Sequence, residues 1–83
     1  MNDEELATLI KTTLFDIAPD IEGEPMDFDV AFREQFEIDS MDFLNFVIGL
    51  HNATGIDIPE ADYPKLETLG SCVCYLKKQG VGS

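Results

Sequence analysis

Ser40 is the residue in this sequence whose surroundings best suit chemistry. It follows an acid, Asp39, and opens an apolar-periodic segment in which Asp42 also falls. At such a helix start the hydroxyl lies on the surface, at the positive end of the helix dipole. Backbone N–H groups there have no partner within the helix, and the place suits a phosphate. Asp-Ser pairs also cap many helices with no further role, so the pair alone decides nothing. The other candidates are weaker. His51 is the sole histidine and stands eleven residues beyond Ser40. That is about three helical turns, too far for a nucleophile–base pair, and His51 reads as a surface or rim residue. Asp27-Phe28-Asp29 begins like a calcium loop, but Phe32 stands where such a loop needs Gly and Ile38 where it needs Glu, so no metal ligands are assigned. Cys72 and Cys74 sit two apart, on nearly opposite sides of a helix, and cannot pair with each other. With no nucleophile–base pair, metal cluster or phosphate-binding glycine loop in the sequence, the chain does not read as an enzyme.

The elements that must position Ser40 are helical. Asn2 is a good N-cap with Glu5 at the capping-box position, and Leu6, Leu9, Ile10, Thr13, Leu14 and Ile17 recur at helical spacing. This predicts a helix over 3–18, stopped by Pro19. A long acidic connection, 19–38, follows. Gly23 and Pro25 break it, and Met26, Phe28, Val30, Phe32, Phe36 and Ile38 are interspersed. A loop of that length must pack on the core or have a function. The aromatics are expected to anchor it, with a short helical turn around Phe32 to Phe36. A second helix, 40–54, is capped by Asp39 and stopped by Gly55. It carries two apolar stripes, Phe43-Phe46-Val47-Leu50-Thr54 and Met41-Leu44-Ile48. One faces the core; the other, which starts beside Ser40, is left over. A short helix over 60–63 is expected between Pro59 and Pro64. A last helix over 69–79 follows, capped by Thr68, with Leu69, Cys72, Val73 and Leu76 inward. Val81-Gly82-Ser83 reads as a frayed tail. The sum is one all-α domain, 1–83: a small bundle of three main helices plus a short one, with a long loop after the first.

Composition bounds the function. An 83-residue chain is one domain with a thin core, since a domain near this size buries only about 60% of its unfolded surface. Seventeen acids against five bases give a formal net charge of −12, which argues against nucleic acid or an anionic membrane and for basic protein partners. No apolar run approaches a membrane span, and the first residues are acidic where a secretion signal would be basic. Reduced thiols, a cytoplasmic location and a monomer are expected. The initiating Met1 and the end after the last helix suggest a free-standing protein.

Four blocks in order along the chain resemble the acyl carrier protein family. Phe32-Arg33-Glu34-Gln35-Phe36 resembles the segment that leads into the family's attachment motif. Asp39-Ser40-Met41 resembles its Asp-Ser-Leu signature, with Met for Leu. Gly55-Ile56-Asp57-Ile58-Pro59 resembles the segment after its second helix, and Leu66-Glu67-Thr68-Leu69 the entry to its last. The resemblance implies that a phosphopantetheinyl transferase moves 4′-phosphopantetheine from coenzyme A onto Ser40 with magnesium. Asp39 would orient the motif and approach the metal. The thiol of the arm, rather than Cys72 or Cys74, would hold the acyl cargo. Met41, Asp42, Leu44 and Ile48 would meet acyl-transferring or synthase enzymes with basic docking surfaces, and the bundle could receive part of the acyl chain. A plain core role for Met41 and Ile48 competes with that reading.

Two departures qualify the resemblance. Glu37 stands where the family commonly has Gly. Asn45, His51, Asn52 and Ala53 occupy positions that are usually acidic, so past Asp42 the second helix has no acid, and the acidity lies in the preceding loop. This suggests a specialised carrier with its own partners. The alternative is an acidic helical interaction protein on the same fold that is never modified.

Overall fold

A computed structural model describes residues 2–81. The first helix, α1 (Asp3–Ile17), starts as its caps require. The Asn2 side chain accepts the Glu5 N–H at 2.8 Å, and Glu5 accepts the Asn2 N–H at 3.2 Å. It ends one residue before the expected 18, because Ala18 precedes Pro19 and has left the helical region (φ −127°, ψ 75°). Leu6, Ala7, Ile10, Thr13 and Leu14 are buried, whereas Leu9 and Ile17 are only partly so.

The connection over 19–38 is more ordered than a loop. A 3₁₀ turn, Pro19–Ile21, opens it, and a single helical turn, α2 (Phe32–Gln35), lies near its end. The Gln35 side chain knits the stretch between them. Its Nε2 donates to the carbonyls of Asp27 (3.0 Å) and Val30 (2.8 Å), and its Oε1 accepts the Asp27 N–H (2.9 Å). Two backbone bonds tie the connection to the start of the last helix: Phe32 N–H to the Glu67 carbonyl (2.7 Å) and Gly70 N–H to the Phe28 carbonyl (3.0 Å). Gly70 eases this approach, since a Cβ there would lie 3.2 Å from the Phe28 carbonyl oxygen, tighter than ordinary contact. Phe32, Phe36 and Ile38 are buried as anchors. Phe28 corrects the expectation that every aromatic anchors the loop. Its backbone is pinned at Gly70, but the residue is 49% exposed.

Helix α3 (Ser40–Thr54) runs from its Asp39 cap to Gly55, which is left-handed (φ 76°). Phe46, Val47 and Leu50 enter the core; Phe43 and Thr54, placed in the same stripe from the sequence, are half-buried. Phe46 packs edge-on to Phe32 (5.4 Å between ring centroids). The next helix is 3₁₀ and spans Glu60–Leu66, longer than the expected 60–63, with Pro64 inside it rather than ending it. Proline's fixed φ suits a 3₁₀ segment, and its clash with the carbonyl four residues back belongs to an α-helix interior. The segment is held by Tyr75 from the last helix and by contacts of its own side chains. Tyr75 Oη donates to Asp62 (2.8 Å), Lys65 Nζ lies 3.4 Å from the same carboxylate, and Leu66 is buried. Burial, together with the hydrogen bond and charge of Asp62, pushes the Tyr75 phenol up to about 12.

Helix α4 (Leu69–Lys78) is capped reciprocally by Thr68 and Ser71 and ends one residue short of the expected 79. Leu69, Cys72, Val73, Tyr75 and Leu76 face inward. Val81 is not frayed. Its N–H bonds the Leu76 carbonyl (3.0 Å) and its side chain packs against the core; Gly82 and Ser83 lie outside the described residues. The architecture is all-α, with no strand among the described residues, and no helix is long and apolar enough to cross a membrane.

Helix α1 packs on both α3 and α4, and Gly49 lies at the crossing with α3. A Cβ there would come within 2.7 Å of Thr13 Cγ2. Thr13 cannot easily turn away, because its hydroxyl donates to the Leu9 carbonyl (2.8 Å). Gly49→Ala should therefore destabilise the fold by about 1 kcal/mol. Overpacking costs roughly 1–3 kcal/mol, against a helix-propensity gain of about 1. Removing the opposing methyl in Thr13→Ser/Gly49→Ala should restore the loss. Urea melts of the three chains check this, and a single alanine variant as stable as the native chain contradicts it.

Candidate functional site

Ser40 is the first residue of α3 and is exposed. The turn before it is set by Phe36 and Ile38, both buried, with a hydrogen bond from Ile38 N–H to the Phe36 carbonyl (2.9 Å). Glu37 lies at the centre of that tight bend. Among the described residues no non-glycine has positive φ, so Glu37 occupies the place without left-handed strain. Asp39 then caps the helix, its Oδ1 accepting the Asp42 N–H at 2.8 Å. The first helical bond runs from Phe43 N–H to the Asp39 carbonyl (3.0 Å). The N–H groups of Ser40 and Met41 precede it and find no acceptor among the described residues. The Ser40 hydroxyl thus sits beside two free donors at the positive end of a 15-residue helix.

The four flanking residues singled out from the sequence separate into two groups. Met41, Leu44 and Ile48 form one surface stripe, 64%, 37% and 47% exposed. They are the left-over stripe, and the core role that competed for Met41 and Ile48 is not what they have. Asp42 is half-buried and lies about 100° round the helix from Met41, on the side away from Ser40. It faces a cleft that it shares with Asp20, Glu24 and Glu37. The acidity around the helix start therefore comes from the loop and from Asp42, as the charge distribution in the sequence predicts.

Arg33 is the residue that sequence reasoning missed. It stands on α2, and its Nη2 donates to Ser40 Oγ at 3.5 Å. The signal for it was available: between Lys11 and Lys65 it is the one arginine or lysine, in a stretch dense with acids. Its proximity to Ser40 depends on how the loop docks, which local patterns do not encode.

The remaining candidates are placed elsewhere. His51 is exposed near the far end of α3. Its Nδ1 pairs with the Ile56 carbonyl (2.6 Å) and lies 3.9 Å from Asp57. It closes the helix end and meets no nucleophile. Asp27 accepts the Asp29 N–H through Oδ1 (2.9 Å), an internal turn contact, and no group of three metal-ligating side chains forms among the described residues. Cys72 is buried and Cys74 exposed, on different faces of α4. Burial pushes the Cys72 thiol far above its ordinary value, and its Sγ donates to the Leu66 carbonyl (3.3 Å).

Fold and site together define a small all-α domain that presents a serine hydroxyl at a helix start, beside an apolar stripe, rather than enclosing it in a cleft. No family model matches the chain. Among curated proteins it is similar to several acyl carrier proteins. That of Lactobacillus johnsonii is 35% identical over 57 residues, covering 69% of this chain and 71% of that protein. That of Lactobacillus acidophilus is 27% identical over 77 residues, covering 93% and 95%. That of Rubrobacter xylanophilus is 33% identical over 48 residues, covering 58% and 59%. The chain belongs to the acyl carrier protein family.

The cap makes the site's rigidity testable. Asp39→Ala should cost about 1 kcal/mol, a fall of roughly 4–8 °C in Tm, and Asp39→Asn should recover most of it. Thermal melts followed by circular dichroism check this. An unchanged Tm in the alanine variant would mean that the cap does not hold the helix start.

Proposed function

We propose that this chain carries acyl groups as thioesters on a 4′-phosphopantetheine joined to Ser40. The observation that carries the reading is the exposed Ser40 hydroxyl at the start of α3, beside the free N–H groups of Ser40 and Met41, in a member of a carrier family. These residues fit a phosphodiester, which needs an open hydroxyl and donors for its oxygens. The arm, when attached, supplies the terminal thiol that holds the acyl group.

The chain's own part is presentation, not catalysis. Ser40 provides the attachment oxygen. Asp39 holds the helix start through Oδ1 and leaves Oδ2 without a protein partner among the described residues, free to meet magnesium while a phosphopantetheinyl transferase loads the site. Met41, Leu44 and Ile48 offer apolar area to that transferase and to acyl-transferring or synthase enzymes. Asp42 and the loop acids steer basic surfaces toward them. The absence of acids along α3 past Asp42 supports dedicated partners rather than a general set. The two free thiols fit a cytosolic protein, and the net charge of −12 fits neither nucleic acid nor anionic membrane as partner.

Incubation with coenzyme A, magnesium and a broad-specificity phosphopantetheinyl transferase tests the reading by intact mass. The native chain should gain one phosphopantetheine and Ser40→Ala none. Met41→Ser/Ile48→Ser should keep the native Tm but load several-fold more slowly. A folded, unmodified native chain that gains nothing refutes the carrier reading and leaves an unmodified acidic interaction protein in its place. Unchanged loading by the double variant removes the stripe from the transferase interface.

A further inference from the structure

We propose that Arg33 is a positioning residue for the phosphodiester on Ser40, holding the base of the arm against the loop side of α3. The inference rests on the carrier reading above and concerns how the attached group is oriented. Arg33 Nη2 stands 3.5 Å from Ser40 Oγ. That is a poor hydrogen bond for a guanidinium, which prefers two oxygens at shorter range. It is also the one hydrogen bond Arg33 makes among the described residues. Among the described residues no carboxylate lies within 4.0 Å of it, although Glu34, Glu37, Asp39 and Asp42 are all near in sequence. The only cation in the middle of the chain is thus aimed at the attachment atom rather than spent on the acids that surround it.

The aim is built into the fold. Arg33 stands on a single turn fixed on both sides of it. Phe32 is fully buried, packs against Phe46 and bonds Glu67 through its N–H; Gln35 makes three hydrogen bonds into the loop. A phosphodiester on Oγ places two non-bridging oxygens and one negative charge in front of that guanidinium. The same charge is repelled by the neighbouring carboxylates. Arg33 offsets the repulsion and can bind the two oxygens in its planar fork, which a lysine cannot do. The arm then leaves Ser40 with its first bonds set, on the α2 side of the helix start.

The test compares the native chain, Arg33→Gln and Arg33→Lys, each before and after loading driven to completion and confirmed by intact mass. The loaded-minus-unloaded change in Tm at low salt should be about 2–4 °C more positive in the native chain than in Arg33→Gln, with Arg33→Lys between them. In the native chain alone, the Arg33 Nε–Hε resonance should move on loading, and the phosphorus resonance should differ between the native chain and Arg33→Gln. Equal Tm changes in all three chains with an unmoved Arg33 resonance overturn the assignment. Failure of the native chain to load overturns the carrier reading itself, a different and separately visible result.

Discussion

The docking of Phe32 is the interaction on which the rest of this structure depends. Twenty-two residues, 18–39, connect α1 to α3, and ordering them costs backbone entropy. The acids in the connection cannot repay that, since they stay in water. What works against that cost is the burial of Phe32, Phe36 and Ile38, together with the bonds from Phe32 to Glu67 and from Gly70 to Phe28. With Phe32 in place, the turn before Asp39 follows, the helix cap follows from the turn, and the position of Ser40 follows from the cap. A site that has no cleft is positioned by a segment that is bonded to the start of the far helix.

Much of this was legible in the sequence because the signals are local. Asn2 with Glu5, Asp39 at the second helix and Thr68 at the last are caps whose partners lie within three residues, and each forms. The two stripes of α3 were legible for the same reason, and the exposure of Met41, Leu44 and Ile48 follows from there being only one core to face. What was not legible depends on contacts between distant segments. Gln35 is an unremarkable polar residue until its amide is seen to close the loop. Pro64 reads as a stop until Tyr75 is seen holding Asp62 from the last helix. Val81 reads as tail until the bond to Leu76 turns the chain back onto the core. Arg33 belongs with these, since nothing within its own turn points to Ser40.

Charge gives the two ends of α3 different characters. At its start, Glu37, Asp39 and Asp42 make the chain acidic, and among the described residues Arg33 is the cation that approaches the Ser40 hydroxyl. Along its length there are no further acids, and its outer face is apolar. At its end, His51 is occupied by the Ile56 carbonyl. A basic partner drawn by the loop acids would thus meet a helix that offers contact area but little charge. That arrangement separates the forces that bring a partner near from those that hold it.

The backbone bonds that pin the connection also bear on the order in which the chain can acquire its shape. Phe32 and Glu67, like Phe28 and Gly70, are more than thirty positions apart. Each helix can close its own local bonds early, but these two bonds of the loop wait for the last helix, because loop closure must precede the contacts that reward it. The setting of Ser40 is therefore complete only when the distant segment around Glu67 and Gly70 is also in place.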